Sequence, residues 1–300
     1  IEIVTHLLEF YRRVVKSEWW TFFNRQNHDF NEILNDMDAI GGLVYLNQFT
    51  TEDGYVVKTF KYPEQDFKLK SGTTLVDIET LKSIGSFYSH DYKKNTVSIK
   101  LLKRMRGESS FVNISIGGPI KTDLLSNAIY LYAENLIAKS LKFQAVNSIL
   151  QKKRPEFKGK KDLETIVKNK DLIEDIDKSI NALDQSYIFI QGPPGTGKTY
   201  ITARVIHDLI KKGKKVAISS NSHKAIHVLL DQIEEFSKFS KLKYVGIKKS
   251  TSGNKESEFI SSNISSLNKT TDSKNPDLLL IPDNVQLFAA TKYELCKPVY

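Results

Sequence analysis

The 300-residue sequence contains a single cysteine, Cys296, and that scarcity removes two classes of protein at once. A lone thiol closes no internal disulfide, and with no His or Cys beside it at ligand spacing it builds no metal site, so it reads as a small core residue. Long apolar runs are missing as well: no stretch of about 18 or more apolar residues occurs, and no membrane-spanning helix is expected. Residues 1–20 mix charges with apolar positions at helical spacing, which is the pattern of an amphipathic helix and not of a leader peptide. The expected setting is cytoplasmic, with no membrane partner. Acidic residues are outnumbered, 35 Asp and Glu against 44 Lys and Arg, for a formal charge of +9. Such an excess suits a polyanion, because each Lys or Arg near a phosphate releases a condensed counterion on binding. Moderate basicity is common, however, and these lysines are spread over loops and helix faces, so the motifs must decide. The 40% apolar content excludes disorder of the whole chain and leaves room for two or three compact units.

Along the chain, Ile3, Leu7, Phe10 and Val14 share one face of an opening helix that starts without a cap, as though something preceded it. Short β-branched and aromatic runs follow at residues 43–46, 55–58, 74–77, 96–99 and 111–114, separated by turn signals such as Glu52-Asp53-Gly54 and Lys70-Ser71-Gly72. Five or so strands at this spacing predict a small antiparallel β-barrel. Residues 123–150 carry Leu124, Leu125, Ile129, Leu131, Leu136, Ile137, Leu141, Val146 and Ile149 without Pro or Gly, which predicts one long helix. After a basic link, Lys152-Lys153-Arg154 to Lys160-Lys161, a second helical stretch is expected over 162–184. From Tyr187 onward, strand, glycine-rich turn, helix, strand and helix alternate as in a parallel α/β sheet. Residues 248–275 are mostly Ser, Thr, Asn, Lys and Glu and are expected to form a mobile surface loop.

The strongest chemical signal is Ile188-Phe189-Ile190 feeding into Gly192-Pro193-Pro194-Gly195-Thr196-Gly197-Lys198-Thr199, with Tyr200 and a helical run behind it. Glycines let backbone N–H groups converge on phosphate oxygens at the positive end of a helix. Lys198 is expected to reach the β and γ phosphates of ATP, and the Thr199 hydroxyl to ligate Mg²⁺. The motif names a ligand class and not the work done with it. Further on, the strand around Ile218 ends in Ser220-Asn221-Ser222-His223, small polar side chains at a strand's carboxyl end before a helix. That is a second anion pocket suited to a nucleic-acid backbone, or ordinary helix capping by Asn221 or Ser222.

QGPPGTGKT at 191–199, followed by SSNSHKAIHVLL at 219–230, resembles the first motor motif and motif Ia of superfamily 1 helicases, in the group B branch that includes the nonsense-decay and Okazaki-fragment-processing helicases. The hydroxyl-rich motif Ia separates this resemblance from AAA-type ATPases, which share GPPGTGKT. LLEFYRR at 7–13, EWWTFF at 18–23, YPEQDFKLKSG at 62–72, LDQSYIFIQGPPGTGKTY at 183–200 and NSHKAI at 221–226 are similar, in this order, to bacterial proteins that join a RecB-like nuclease to such a helicase. The resemblance implies an α/β fold: a partial RecA-like P-loop motor domain, a parallel sheet with flanking helices, preceded by a small β-barrel and a helical stalk. It implies a helical segment at 1–40 joined to an upstream module, the barrel at 41–120, stalk and linker at 121–185, and the motor at 186–300, ending before Walker B. It also implies single-stranded DNA or RNA as partner, 5′ to 3′ movement and a monomeric protein. Lys198 and Thr199 carry over as phosphate and Mg²⁺ contacts, and Asn221, Ser222 and Thr291 as strand contacts. Ala289-Ala290-Thr291 stands where the family shows Gly-Thr.

Departures from that pattern shape the expectations further. Gln185 is too close to the strand to serve as an adenine-reading glutamine. With Walker B and the arginine finger outside the chain, residues 1–300 are expected to bind nucleotide, hydrolyse it very slowly and unwind nothing. Nuclease sites need a D/E-x-K element around Mg²⁺, but Asp66-Phe67-Lys68, Asp91-Tyr92-Lys93, Glu156-Phe157-Lys158 and Asp272-Ser273-Lys274 all fit that shorthand, so it selects none; a nuclease is expected before Ile1. Trp19, Trp20, Phe22 and Phe23 read as a core anchor, and His223 with His227 as surface residues without a third ligand. Two rivals remain: a P-loop ATPase switch that does no nucleic-acid work, and a non-enzymatic module in which the barrel binds oligonucleotides.

Overall fold

The computed structural model describes residues 2–107, 111–159, 172–251, 254–267 and 281–297. Contacts divide the chain into two compact units, Glu9–Lys121 and Ile1–Leu8 with Thr122–Tyr300. The division does not fall at residue 40 as expected from sequence, because the segment before it packs on the strands that follow: Ile33, Ala39 and Ile78 form one buried cluster. The single opening helix expected from periodicity is three short ones, α1 (Glu2–Leu8), α2 (Phe10–Val14) and α3 (Lys16–Asn24). The chain loosens at Glu9 and Val15, where ψ is −3° and −4°, and the β-branched pair Val14-Val15 favours a break.

In the first unit, α4 (Phe30–Asn35) starts in a capping box between Asp29 and Glu32. The strands are β1 (Ala39–Ile40), β2 (Val44–Thr50), β3 (Val56–Lys61), β4 (Thr74–Asp77), β5 (Ser83–Asp91), β6 (Thr96–Leu101) and β7 (Ile114–Ile116), paired antiparallel in the order β1-β7-β4-β5-β6-β3-β2. β1 and β2 lie at opposite ends of this ladder, yet residues 41–43 alone separate them. Three residues reach only about 10 Å, so the sheet must curl until its ends approach. Leu43 N–H donates to Val112 O at 2.8 Å and Gly42 N–H to Asn113 Oδ1 at 3.1 Å across that gap. Phe60, Leu75, Ile84, Val97, Ile99 and Ile114 fill the concave side and are fully buried. Gly85 is required where β5 meets β6, since a Cβ there would lie 2.1 Å from the Lys100 carbonyl oxygen. The aromatic anchor is only partly internal: Phe22 is buried and Trp19 lies against Gly118 and stacks on Phe23, but Trp20 is exposed.

In the second unit the long helix expected over 123–150 is interrupted. α5 (Asp123–Ile137) ends before Lys139, whose φ of 53° is left-handed, and α6 (Gln144–Leu150) restarts after a 3₁₀ turn capped by Ser140. Val4 of α1 packs on Tyr132 and Ala133 of α5, with Leu150 of α6 beside them. α7 (Leu172–Ala182) follows, and the first part of the predicted 162–184 helix lies outside the described residues. Then come α8 (Lys198–Lys211), β8 (Val216–Ser220), α9 (His223–Ser240), β9 (Gly246–Lys249), β10 (Ile264–Leu267), β11 (Leu287–Thr291) and α10 (Lys292–Leu295). The four strands pair in parallel in the order β10-β9-β11-β8. Helices α8 and α9 bury Ala203, Ile206, Ile210, Ile226, Leu230 and Ile233 against Ile218, Leu287 and Ala289, while Phe288 and Ala290 face the other way into a cluster with Leu295. Apolar side chains on both faces mark strands covered on both sides, as in a parallel sheet.

Two expectations are corrected in this unit. Ile188-Phe189-Ile190 joins no ladder among the described residues, and Phe189 is 77% exposed. Residues 248–275 are not one loop: β9 runs to Lys249, a 3₁₀ turn covers Lys255–Ser257, and β10 pairs with β9 through Ile264↔Gly246. Backbone pairing with a buried parallel strand overrides polar composition at 264–267; residues 268–275 lie outside the described residues. Among the described residues no helix is long and apolar enough to cross a membrane.

Candidate nucleotide and strand site

The glycine-rich loop ends in the first turn of α8. Gly195 and Gly197 take left-handed φ angles of 81° and 77°, which a residue with a Cβ adopts only under strain, and their Cβ positions face open space. Gly192 is small for a different reason: a Cβ would stand 2.8 Å from Thr196 Oγ1. Thr196 Oγ1 donates to Pro193 O at 2.9 Å and closes the loop on itself. The Lys198 ammonium folds back to donate to Gly192 O at 2.6 Å and Pro193 O at 2.7 Å. Ile201 N–H donates to Gly197 O at 2.9 Å, and the amides ahead of it belong to a first helical turn that supplies no acceptors of its own. Thr199 and Tyr200 are exposed on that turn, the Tyr200 ring edge-on to Phe236 at 5.3 Å. An ammonium, a hydroxyl and the amides of a helix's first turn stand around this open loop, groups of the kind that bind phosphate oxygens.

The carboxyl ends of β8 and β11 meet beside one another, with Thr291 directly opposite Ser220. Asn221 and Ser222 continue from β8, both exposed. Ser222 caps α9, accepting from Ala225 N–H at 3.2 Å, so the capping role weighed from sequence is real for this residue. Thr291 precedes α10 without a side-chain cap. The fold thus gathers Asn221, Ser222 and Thr291 along one edge of the parallel sheet, where open α/β sheets hold ligands.

His223 and His227, expected at the surface, are half-buried. Lys248 of β9 is fully buried beneath the start of α9 and donates to His223 Nδ1 at 2.9 Å, Lys249 O at 2.7 Å and Ser257 O at 3.1 Å. His223 Nε2 lies 3.2 Å from Thr251 Oγ1. Burial, helped by Lys249, pulls the Lys248 ammonium down to about 8. Burial and then Lys248 also hold both histidines below their ordinary value. Sequence reading missed Lys248 because the polar composition of 248–275 placed it in a surface loop.

The other candidates have structural tasks. Asp91 Oδ1 accepts from Lys93 N–H and Lys94 N–H at the β5–β6 turn, Phe67 is core, and Phe157 is buried where its backbone bridges to Leu183. Asp272-Ser273-Lys274 lies outside the described residues. Gln185 occupies an exposed left-handed turn with φ 45°. Cys296 is half-buried, and burial raises its thiol.

A parallel α/β sheet that presents a glycine-rich loop at the start of a helix defines a P-loop nucleotide-binding protein. Residues 140–294, just over half of the chain, match the family described as "Type III restriction enzyme, res subunit", and the chain belongs to that family, among the P-loop ATPases and helicases. Among curated proteins the chain is similar to the DNA replication ATP-dependent helicase/nuclease DNA2 of Saccharomyces cerevisiae, 44% identical over 57 residues, covering 19% of this chain and 4% of that protein. It is also similar to the replication factor C small subunits of Sulfurisphaera tokodaii, 27% identical over 79 residues covering 25% of this chain and 24% of the relative, and of Sulfolobus acidocaldarius, 26% identical over 81 residues covering 26% and 25%. The chain spans at most a quarter of the length of these relatives.

Proposed function

We propose that this chain carries part of an ATP-driven motor of the superfamily 1 group B helicases, which binds Mg·ATP at residues 192–200 and one strand of nucleic acid across the carboxyl edge of its parallel sheet. The observation that carries this reading is the pairing of a loop able to hold a triphosphate, at the start of α8, with a polar edge, Asn221, Ser222 and Thr291, at the carboxyl ends of β8 and β11. Gly192, Pro193, Pro194, Gly195, Thr196 and Gly197 would wrap the phosphates; Lys198 would leave its two carbonyls to reach the β and γ oxygens, Thr199 would ligate Mg²⁺, and Tyr200 would flank the nucleoside side. Bound Mg·ATP supplies a phosphoanhydride whose cleavage can be coupled to movement. The curled sheet of the Glu9–Lys121 unit would serve as the barrel and α5 with α6 as the stalk of such a motor. The DNA2 similarity supports a link to nuclease-helicase proteins, with the nuclease on another segment of a longer polypeptide.

A direct test is fluorescence anisotropy with labelled poly-dT and poly-U. Binding is expected to weaken steeply between roughly 50 and 200 mM salt, and Asn221→Ala or Thr291→Ala to weaken it by about 3- to 10-fold. Ser222→Ala is less clean, because losing the cap also costs about 1 kcal/mol of helix stability. Salt-insensitive or absent binding would favour an ATPase switch that does no nucleic-acid work. A second reading rests on the convex side of the curled sheet. Phe49, Val57 and Lys100 form a row across β2, β3 and β6, Tyr88 meets Phe49 edge-on at 6.0 Å, and Lys100 Nζ stands 3.5 Å from the Tyr55 ring centre. Exposed aromatics beside a lysine suit stacked bases. If Phe49→Ala with Tyr88→Ala removes the affinity and Asn221→Ala does not, this face is the binding surface.

A further inference from the structure

Lys248 is a fully buried charge that none of the roles above uses. A methionine or leucine would fill its place in β9 without the several kcal/mol that sinking an ammonium costs. The lysine is nevertheless fully satisfied: its three N–H groups meet three acceptors, His223 Nδ1, Lys249 O and Ser257 O, at 2.9, 2.7 and 3.1 Å. It therefore ties the first turn of α9 to the connection after β9. That connection is itself drawn tight, with Thr251 N–H donating to Ser257 Oγ at 2.8 Å and Ser257 Oγ to Asn254 O at 2.6 Å.

The tie has a specific chemical consequence. An ammonium can only donate, so the Nδ1 atom it contacts must carry a lone pair, and the proton of neutral His223 sits on Nε2, where it donates to Thr251 Oγ1. One ring thereby locks the residue directly after Asn221 and Ser222 from both sides. We infer that Lys248 is a positioning residue for the strand-binding edge: by fixing His223 as the Nε2–H tautomer it holds the Asn221-Ser222 turn in the shape that receives a nucleic-acid backbone. This rests on the proposal that the turn contacts the strand. Among the described residues the titratable groups around Lys248 are His223 and His227 on α9 and Lys249 on its own strand, with Asp231 acting on His227. As pH rises through about 8 the ammonium becomes an amine. An amine keeps two N–H groups for the two carbonyls and offers a lone pair, so His223 can then turn to the Nδ1–H form.

The experiment uses the full chain labelled with ¹⁵N-histidine, with His223 assigned through His223→Gln. Two-bond ¹H–¹⁵N correlation reads the tautomer, poly-dT anisotropy reads strand binding, and Mg·ATP affinity reports that the variant is folded. The wild type is expected to show His223 as Nε2–H at pH 7 and to gain Nδ1–H on going to pH 9, with poly-dT affinity falling alongside. Lys248→Met is expected to lose the Nε2–H preference already at pH 7, to bind poly-dT about 5- to 10-fold more weakly, and to keep its Mg·ATP affinity. A wild-type His223 that is Nδ1–H at pH 7 overturns the inference without any variant. Undiminished poly-dT binding by Lys248→Met overturns the role of Lys248 alone. Absence of poly-dT binding by the wild type, with His223 as Nε2–H, overturns the reading of the turn as a strand site and the positioning role with it.

Discussion

Replacing Lys198 with alanine is expected to lower Mg·ATP affinity by roughly 100-fold, because a charge-assisted contact to phosphate oxygens in a site built for anions is worth about 2–3 kcal/mol. The effect should be confined to the ligand. Among the described residues Lys198 Nζ donates to Gly192 O and Pro193 O alone, both on a solvent-accessible loop, so water can replace it there. α8 also keeps its first closed turn, from Ile201 N–H to Gly197 O, and its buried face of Ala203, Ile206 and Ile210. Unfolding midpoints of wild type and Lys198→Ala should therefore agree within about 0.5 kcal/mol, as surface substitutions do, while calorimetry shows binding in one and little in the other. A variant that loses binding and stability together would mean that the lysine supports the loop's structure and that its phosphate role is unproven.

The second large effect lies in the other unit. Phe60→Ala is expected to destabilise the Glu9–Lys121 unit by about 3–5 kcal/mol, the sum of lost transfer energy and the cavity left behind. Phe60 is fully buried in the concave face of the curled sheet, paired with Tyr45 and Val97 across β3 and its neighbours and packed near Phe111. Backbone ladders hold it on both sides, so the site collapses poorly. The readout is unusually clean: the sequence has two tryptophans, Trp19 and Trp20, and both belong to this unit, so tryptophan emission during urea unfolding follows it alone. At a slope of about 1–3 kcal/mol per molar urea the midpoint should fall by roughly 1–5 M. Val112→Ala, at a half-exposed position outside the strands, should leave it nearly unchanged.

Legibility in the sequence followed the range of the interactions. The P-loop could be read because Gly195, Gly197 and Lys198 act through local backbone geometry within one turn, and local geometry is written in neighbouring residues. β4 and β6 were visible from β-branched runs, but β5 was not: Ser83, Gly85, Ser86, Ser89 and His90 leave it without such a run, and the ladders with β4 and β6 make it a strand. The break at Lys139 was hidden because the apolar spacing continues through it, the chain turning by a single left-handed residue. β10 was masked by serines, and its pairing with β9 comes from residues about 18 positions away. Lys248 shows the same limit at the site. Nothing in Gly246-Ile247-Lys248-Lys249 says which lysine is buried, since the acceptors that satisfy it come from His223 and Ser257 on other elements.

The two proposed sites, loop and sheet edge, are joined by α8, β8 and the packing of α8 against α9, so ligands at each should sense the other. The heat of Mg·ATP binding to the full chain, titrated with and without saturating poly-dT, measures that link most directly. Binding to one site per chain, tightened several-fold by the oligonucleotide, is the result expected of a nucleic-acid motor. Mg·ATP affinity that is identical with and without poly-dT, or absent in both, would contradict it.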